Sequence, residues 1–180
     1  MSGLLAFVLG AQLPLGDDNW TKEVDVSPKL GVRAGVVQGA LAGWVSADYT
    51  FEQLTPQVSK PAGFDTGASA YRVRMLAHIG FEHPINPKLT VAARFGAGID
   101  YQHGSYDYTL LGTRFTGSDG DTGYAFEFGG GLWWDAGNVQ VGGELAVPIG
   151  HHSKPSMNGS IGFDWTSYDL DILVGARVPL

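Results

Sequence analysis

The chain has no cysteine, which removes disulfide frameworks, thiolate metal sites and cysteine nucleophiles together. It has no run of 18 apolar residues, so no segment can cross a bilayer as a helix. It has no basic cluster. With a net charge of -7, electrostatic binding to nucleic acid or to an anionic leaflet is not expected. No stretch sustains a helical period. Lysine is missing from the middle of every alternating segment, because Lys22, Lys29, Lys60, Lys88 and Lys154 fall in connections or at segment ends. Residues 1–9 carry no charged leader region and no small-residue cleavage site follows, so the expectation is a mature chain begun at Met1.

What is present is alternation. Residues 3–15, 29–38, 41–52, 71–82 and 89–102 each place apolar side chains on one face and glycine, polar or charged ones on the other. In residues 71–82, for example, Tyr71, Val73, Met75, Ala77, Ile79 and Phe81 alternate with Arg72, Arg74, His78 and Glu82. Three further segments, near 124–134, 139–149 and 168–180, continue the pattern to the last residue. At 180 residues the chain is read as one domain, 1–180, of eight antiparallel strands, each of about the length that a tilted strand needs to span a bilayer.

The connections alternate in length. Those at 38–40, 83–88 and 135–138 are short, whereas 16–28, 53–69, 103–122 and 151–164 are long and polar. Short turns on one rim, long loops on the other and an even strand count fit an up-and-down transmembrane barrel. The rival is a soluble, lipocalin-like carrier with its apolar face turned inward. Its outer face would then be rich in glycine and poor in lysine, a poor solvent surface. The opposite orientation suits the composition better: glycines leave room in a narrow lumen, and arginines pair there with carboxylates.

On that reading Arg33, Asp48, Arg74, Arg94, Glu127 and Glu144 form a mid-barrel charge belt. Arg72, Asp171 and Arg177 extend it as a lumen network that plugs the barrel or lines a narrow pore. Aromatics mark two interfacial girdles: Tyr49, Phe51, Tyr71, Tyr101, Tyr124 and Tyr168 toward the long loops, Phe81 and Trp134 toward the short turns.

The chain ends Leu173-Val174-Gly175-Ala176-Arg177-Val178-Pro179-Leu180. The spacing of Gly175, Val178 and Leu180 resembles the C-terminal assembly signal of bacterial outer-membrane barrels, although Leu closes the chain where Phe or Trp is usual. With the strand count and loop asymmetry, the whole chain resembles the OmpA/OmpX type of small eight-stranded barrel. That resemblance implies residence in the bacterial outer membrane, contact with its lipid and lipopolysaccharide, and passage through the barrel-assembly machinery. It also implies a role in envelope integrity, adhesion or recognition through the loops.

One catalytic constellation stands beside this. His151 and Ser153 have the His-x-Ser spacing on the lipid-facing parity of a late strand, and Asp164 follows on the next. The arrangement resembles outer-membrane lipid A deacylases, which would make Ser153 the nucleophile, His151 its base and Asp164 the orienting carboxylate. Lys154 stands where that family has Asn, and its acid is Glu. The expectation is therefore a non-enzymatic protein. Ser118-Asp119-Gly120-Asp121 lacks a completing bidentate Glu and reads as a turn rather than a calcium loop. Asp17-Asp18-Asn19 reads as solvated loop, and His78 as a lumen hydrogen-bonding residue. No metal or cofactor is expected. The reading is an integral envelope barrel with a filled lumen and exposed loops 16–28, 53–69, 103–122 and 151–164 for any partner, with a narrow channel, a lipid hydrolase and a soluble carrier as alternatives.

Overall fold

A strand with one apolar and one charged face must hide one of them, and eight such strands can do so by curling into a ring. The computed structural model describes residues 2–15, 24–54, 65–110, 112–154 and 163–180, and among them every regular element is a strand. These are β1 (Ser2–Leu15), β2 (Val24–Asp25), β3 (Ser27–Gln38), β4 (Leu41–Leu54), β5 (Asp65–Asn86), β6 (Leu89–Leu110), β7 (Thr113–Asp135), β8 (Gln140–Lys154) and β9 (Phe163–Pro179). All pairings are antiparallel, and the ring runs β1-β3-β4-β5-β6-β7-β8-β9 and back to β1. The closing seam pairs Leu4 with Pro179 through to Leu15 with Tyr168. Leu180 N donates to Gly3 O at 2.9 Å and Gly3 N to Leu180 O at 3.2 Å, which extends the seam to the rim.

β2 continues the line of β3 after a bulge: Asp25 lies opposite Gln53 but Lys29 lies opposite Thr50, so the β2–β3 side holds one extra residue. Ser27 Oγ fills the break, accepting from Gln53 N at 2.9 Å and donating to Asp25 O at 2.8 Å.

Several strands outrun the limits expected from sequence. β5 starts at Asp65 and continues to Asn86 through Pro84, where the register shifts. A proline is tolerated at such an irregularity because no ladder hydrogen bond is required of it. β6 and β7 pair without interruption up to Leu110 opposite Thr113, so most of 103–122, a long connection whose apolar Tyr106, Tyr108, Leu110, Leu111 and Phe115 leave open either strands extended past the membrane or a docking loop, is a strand hairpin. Its Gly, Ser and Asp residues read as turn chemistry, yet only the tip needs it, and Gly112 there has φ +82°. Residues 16–23, 55–64, 111 and 155–162 lie outside the described residues, and with them Asp17, Asp18 and Asn19 and much of three long connections.

The ring is inverted relative to a soluble protein. Ile79 is 71% exposed, Leu9 62% and Leu145 57%, whereas Arg72, Arg74, Asp100 and Asp171 are all buried. In lipid this is the favourable orientation, since every strand then pairs on both sides and the apolar face meets acyl chains. Tyr71 and Phe81 on the outer face of β5 are ten residues apart; at about 3.3 Å per residue and a tilt of ~40° they bracket a band of ~25 Å, the height of a barrel's apolar belt. Tyr49, Phe51, Tyr71 and Tyr101 form one aromatic cluster at its upper edge, with ring centroids 4.5–6.2 Å apart. Trp134 and Lys88, 5.9 Å from that ring, mark the lower edge.

Inside, glycine makes room for large side chains. A Cβ on Gly80 would come within 2.6 Å of the Trp44 ring, and one on Gly142 within 2.8 Å of Trp133. Leu76, Leu173, Val8 and Ala146 pack between the charged groups, so the lumen is a mixed core rather than a bore.

Two outcomes follow from this packing. Leu145→Lys, in the middle of the outer band, is expected to cost about 2–4 kcal/mol in equilibrium unfolding from lipid vesicles, whereas in a water-facing wall it would be neutral. Gly142→Ala is expected to crowd the Leu132 carbonyl and the Trp133 ring and to cost roughly 1–3 kcal/mol in the same measurement.

Candidate functional site

Inward parity on seven of the eight ring strands, all but β1, brings six cations and eight carboxylates into one narrow space, where they sort into linked groups rather than a single belt. Nearest the short-turn rim, Arg177 donates to both oxygens of Glu82 at 2.6 and 3.0 Å and to Gln140 at 2.6 Å, with its guanidinium 4.6 Å from the Trp133 ring centroid. This two-pronged pairing of guanidinium and carboxylate is the geometry that arginine favours.

Above it, Glu144 Oε2 accepts from Arg33 and, at 2.6 Å, from Arg94, which also donates through Nε to Glu127 at 2.9 Å. Next, Lys29 Nζ bridges Asp171 and Asp48, the latter at 3.8 Å. The uppermost group is the largest. Arg72 meets Asp169 at 2.9 Å, Glu52 at 3.3 Å and Asp100 at 3.6 Å, and Arg74 meets Asp100 at 3.1 Å and Asp169 at 3.6 Å. His152 stands over this group, 3.6 Å from Asp100 and 3.1 Å from Asp121.

All nine network residues named from sequence are therefore inside, but not at one height. Arg74 sits with Arg72 in the upper group because β5 extends four residues beyond the lower end expected for it. Asp48 faces Arg74 in the β4–β5 register, yet it forms its ion pair with Lys29. Lys29, Glu52, Glu82, Asp100, Asp169 and His152 join the network without having been expected there. Parity alone turns Glu82, Asp100 and Asp169 inward, but they lie away from the expected mid-height. In the sequence Lys29 reads as a strand end, whereas β3 begins at Ser27 and buries it. His78 lies in the lumen, its Nε2 2.9 Å from Ser46 Oγ and its ring stacked on Trp44.

The second constellation is on the outer wall. His151 is half-buried beside Tyr124, with ring centroids 4.9 Å apart, and Ser153 is exposed two residues further along β8. His151 Nδ1 contacts Thr166 Oγ1 at 3.0 Å, so the group bonded to this imidazole nitrogen is a hydroxyl. Asp164 is opposite Ser153 in the β8–β9 register, and its side chain lies outside the described residues. Among the described residues no group of three His, Cys, Asp or Glu side chains is arranged to hold a metal ion. Gly175, Val178 and Leu180 lie on β9 and at its end, with Val178 and Leu180 exposed on the outer wall.

The Arg33–Glu144–Arg94–Glu127 group makes a direct test possible. Glu144→Gln leaves two buried guanidinium groups without their shared anion, and unpaired buried charge of this kind costs about 3–5 kcal/mol. A loss of that size is expected in urea unfolding of the lipid-inserted protein.

No protein-family model and no curated protein sequence matches the chain, whereas solved structures do. A major outer membrane protein from Thermus thermophilus superimposes with TM-score 0.61 at 13% identity, covering 100% of both chains. Neisserial surface protein A gives 0.55 at 13% identity, covering 98% of this chain and 96% of its own. The attachment invasion locus protein Ail of Yersinia pestis gives 0.52 at 16% identity, covering 100% of each. At such identities the likeness is one of fold. A closed antiparallel ring of eight strands, apolar outside and charged within, and superimposable on these proteins along its length, is the fold of the small outer-membrane β-barrels.

Proposed function

We propose that the protein is an integral component of a bacterial outer membrane, a plugged barrel that anchors a recognition element on the cell surface. The observation that carries this reading is the contrast between a lumen filled by ion pairs and a wall that continues well past the aromatic girdle on one side. β4 and β5 pair as far as Glu52 with Ala70, and β7 and β8 as far as Tyr124 with His151. Beyond those points β5, β6 and β7 pair only with one another among the described residues, as a three-stranded projection. From Thr113 to Gly123 the projection is 11 residues long, or roughly 35 Å of strand.

The projection is braced by polar contacts suited to water. Ser69 Oγ and Ser105 Oγ are 2.8 Å apart. Near the tip, Arg114 Nε donates to Asp107 Oδ1 at 2.9 Å and its Nη2 to Oδ2, both side chains being exposed. Phe115 is 40% exposed on the same hairpin. A stiff, exposed hairpin carrying an apolar side chain is a contact surface for a protein or glycan partner. The girdle tyrosines would meet the lipopolysaccharide of the outer leaflet and Phe81 and Trp134 the phospholipid of the inner one, and Gly175, Val178 and Leu180 would be read by the assembly machinery.

The reading is tested by replacing residues 105–118 with a two-residue turn. The shortened protein and the full chain are both expected to insert in micelles and to shift on a gel when boiled, while cells displaying the shortened form lose adhesion to host or bacterial surfaces. Planar bilayers carrying the full chain are expected to show no steady conductance above baseline, and an open channel of stable amplitude would replace this reading with the channel one. At the tip, hydrogen bonding from Arg114 holds the Asp107 carboxyl below its ordinary range. The pair's contribution is therefore complete above the ordinary carboxylate pKa and fades only as pH falls through the lowered one. An NMR titration of the Asp107 carboxyl is expected to move to higher pH in Arg114→Ala.

A further inference from the structure

Between the Arg177–Glu82 pair and the Arg33–Glu144–Arg94 group the lumen holds a small cavity whose wall includes Arg33, Trp44, Arg94, Trp133, Glu144 and Arg177. Its volume is about 20 Å³, room for roughly one or two water-sized particles. Four N–H groups of its wall residues have no acceptor among the described residues: Arg33 Nε, Arg94 Nη2, Trp44 Nε1 and Trp133 Nε1. Their residues are 2–9% exposed, so bulk water does not serve them.

All four are donors, and an indole N–H can do nothing else. Three of the wall's four carboxylate oxygens are already engaged: Glu144 Oε2 accepts twice, from Arg33 and Arg94, and both oxygens of Glu82 accept from Arg177. A water molecule placed there would satisfy donors but bring protons of its own that need acceptors. A ligand that only accepts brings none. The wall carries three guanidinium groups against two carboxylates, with Glu127 outside it and tied to Arg94 Nε. Size excludes phosphate, sulfate and organic acids. The placement of the two tryptophans is itself specific, since Gly80 and Gly142 are needed to seat them, at 2.6 and 2.8 Å from where a Cβ would stand.

We propose that this cavity binds one monatomic anion of the size of chloride, held by the indole N–H groups of Trp44 and Trp133 and by the guanidinium groups of Arg33 and Arg94. The anion completes the hydrogen bonding of the lower lumen and ties β3, β4, β6 and β7 together near the short-turn rim.

The test uses the full chain refolded in detergent. Thermal unfolding is followed in sodium chloride, sodium bromide and sodium gluconate at equal ionic strength and pH. The expected result is a midpoint several degrees higher in either halide than in gluconate, saturating with halide concentration as a single site. The double variant Trp44→Phe/Trp133→Phe is expected to lose that difference. Should this variant fail to fold, crystals of the unaltered protein soaked in bromide decide the matter, with one anomalous peak expected within hydrogen-bonding distance of the four donors. Equal midpoints in halide and gluconate, or a cavity that holds only water in the bromide-soaked crystal, would overturn the proposal.

Discussion

The seam between β1 and β9 is the constraint on which the rest depends. In a hydrocarbon medium an unpaired strand edge leaves a row of N–H and C=O groups with no partner, and each such group is costly. Pairing the first strand with the last, from Leu4–Pro179 to Leu15–Tyr168, removes both edges at once. Closure in turn dictates everything about the side chains, because a ring has an inside that acyl chains cannot reach and an outside that water cannot.

The inside of an eight-stranded ring is too narrow to be a bore and too polar to be a hydrocarbon core. Its solution is to pair charge with charge at short range. Moving a guanidinium or a carboxylate out of water is costly, and only close, well-directed partners offset it. Hence most lumen charges have two or three opposite neighbours: Glu144 holds two arginines, Asp100 lies near Arg72, Arg74 and His152, and Lys29 joins two aspartates. Glycine on neighbouring strands supplies the volume that these long side chains occupy. Arginine, glycine and carboxylate together form the filling, and the apolar wall is a consequence of the solvent outside.

The alternation along the chain carries much of this. Period two sorts side chains to faces regardless of tertiary context, so Arg33, Arg94, Glu127 and Glu144 are legible as sharing one face from their positions in the sequence. What period two does not encode is height. Partners on different strands meet according to the stagger of the ring and the true ends of the strands, and Arg74 shows how an error of a few residues at one end moves a charge from one group to another. Strand ends are obscured where local chemistry imitates turns: Pro84 sits at a bulge inside β5, and the glycine-rich, serine-rich run of 103–122 is held as a hairpin by its register rather than by its propensities. Lys29 escapes a sequence reading for a related reason, since a bulge at residues 25–27 carries that strand line on into the apparent loop. At His151 the spacing names Ser153 along one strand but is silent about the neighbouring strand, where Thr166 Oγ1 lies 3.0 Å from the imidazole.

The β6–β7 hairpin is paired without a break in register from Leu110–Thr113 at its tip to Leu89–Trp134 at the opposite rim. A pull on the tip along the strand direction draws β6 and β7 together and therefore loads in shear the ladders that join this hairpin to β5 and to β8, many bonds at the same time, because antiparallel ladder bonds lie across the strands. A sideways pull on its edge would instead peel bonds one after another. The projection is thus mechanically anisotropic, stiff against tension along its strands and compliant to bending, and any load it bears passes directly into the strands that carry Arg94, Asp100 and Glu127.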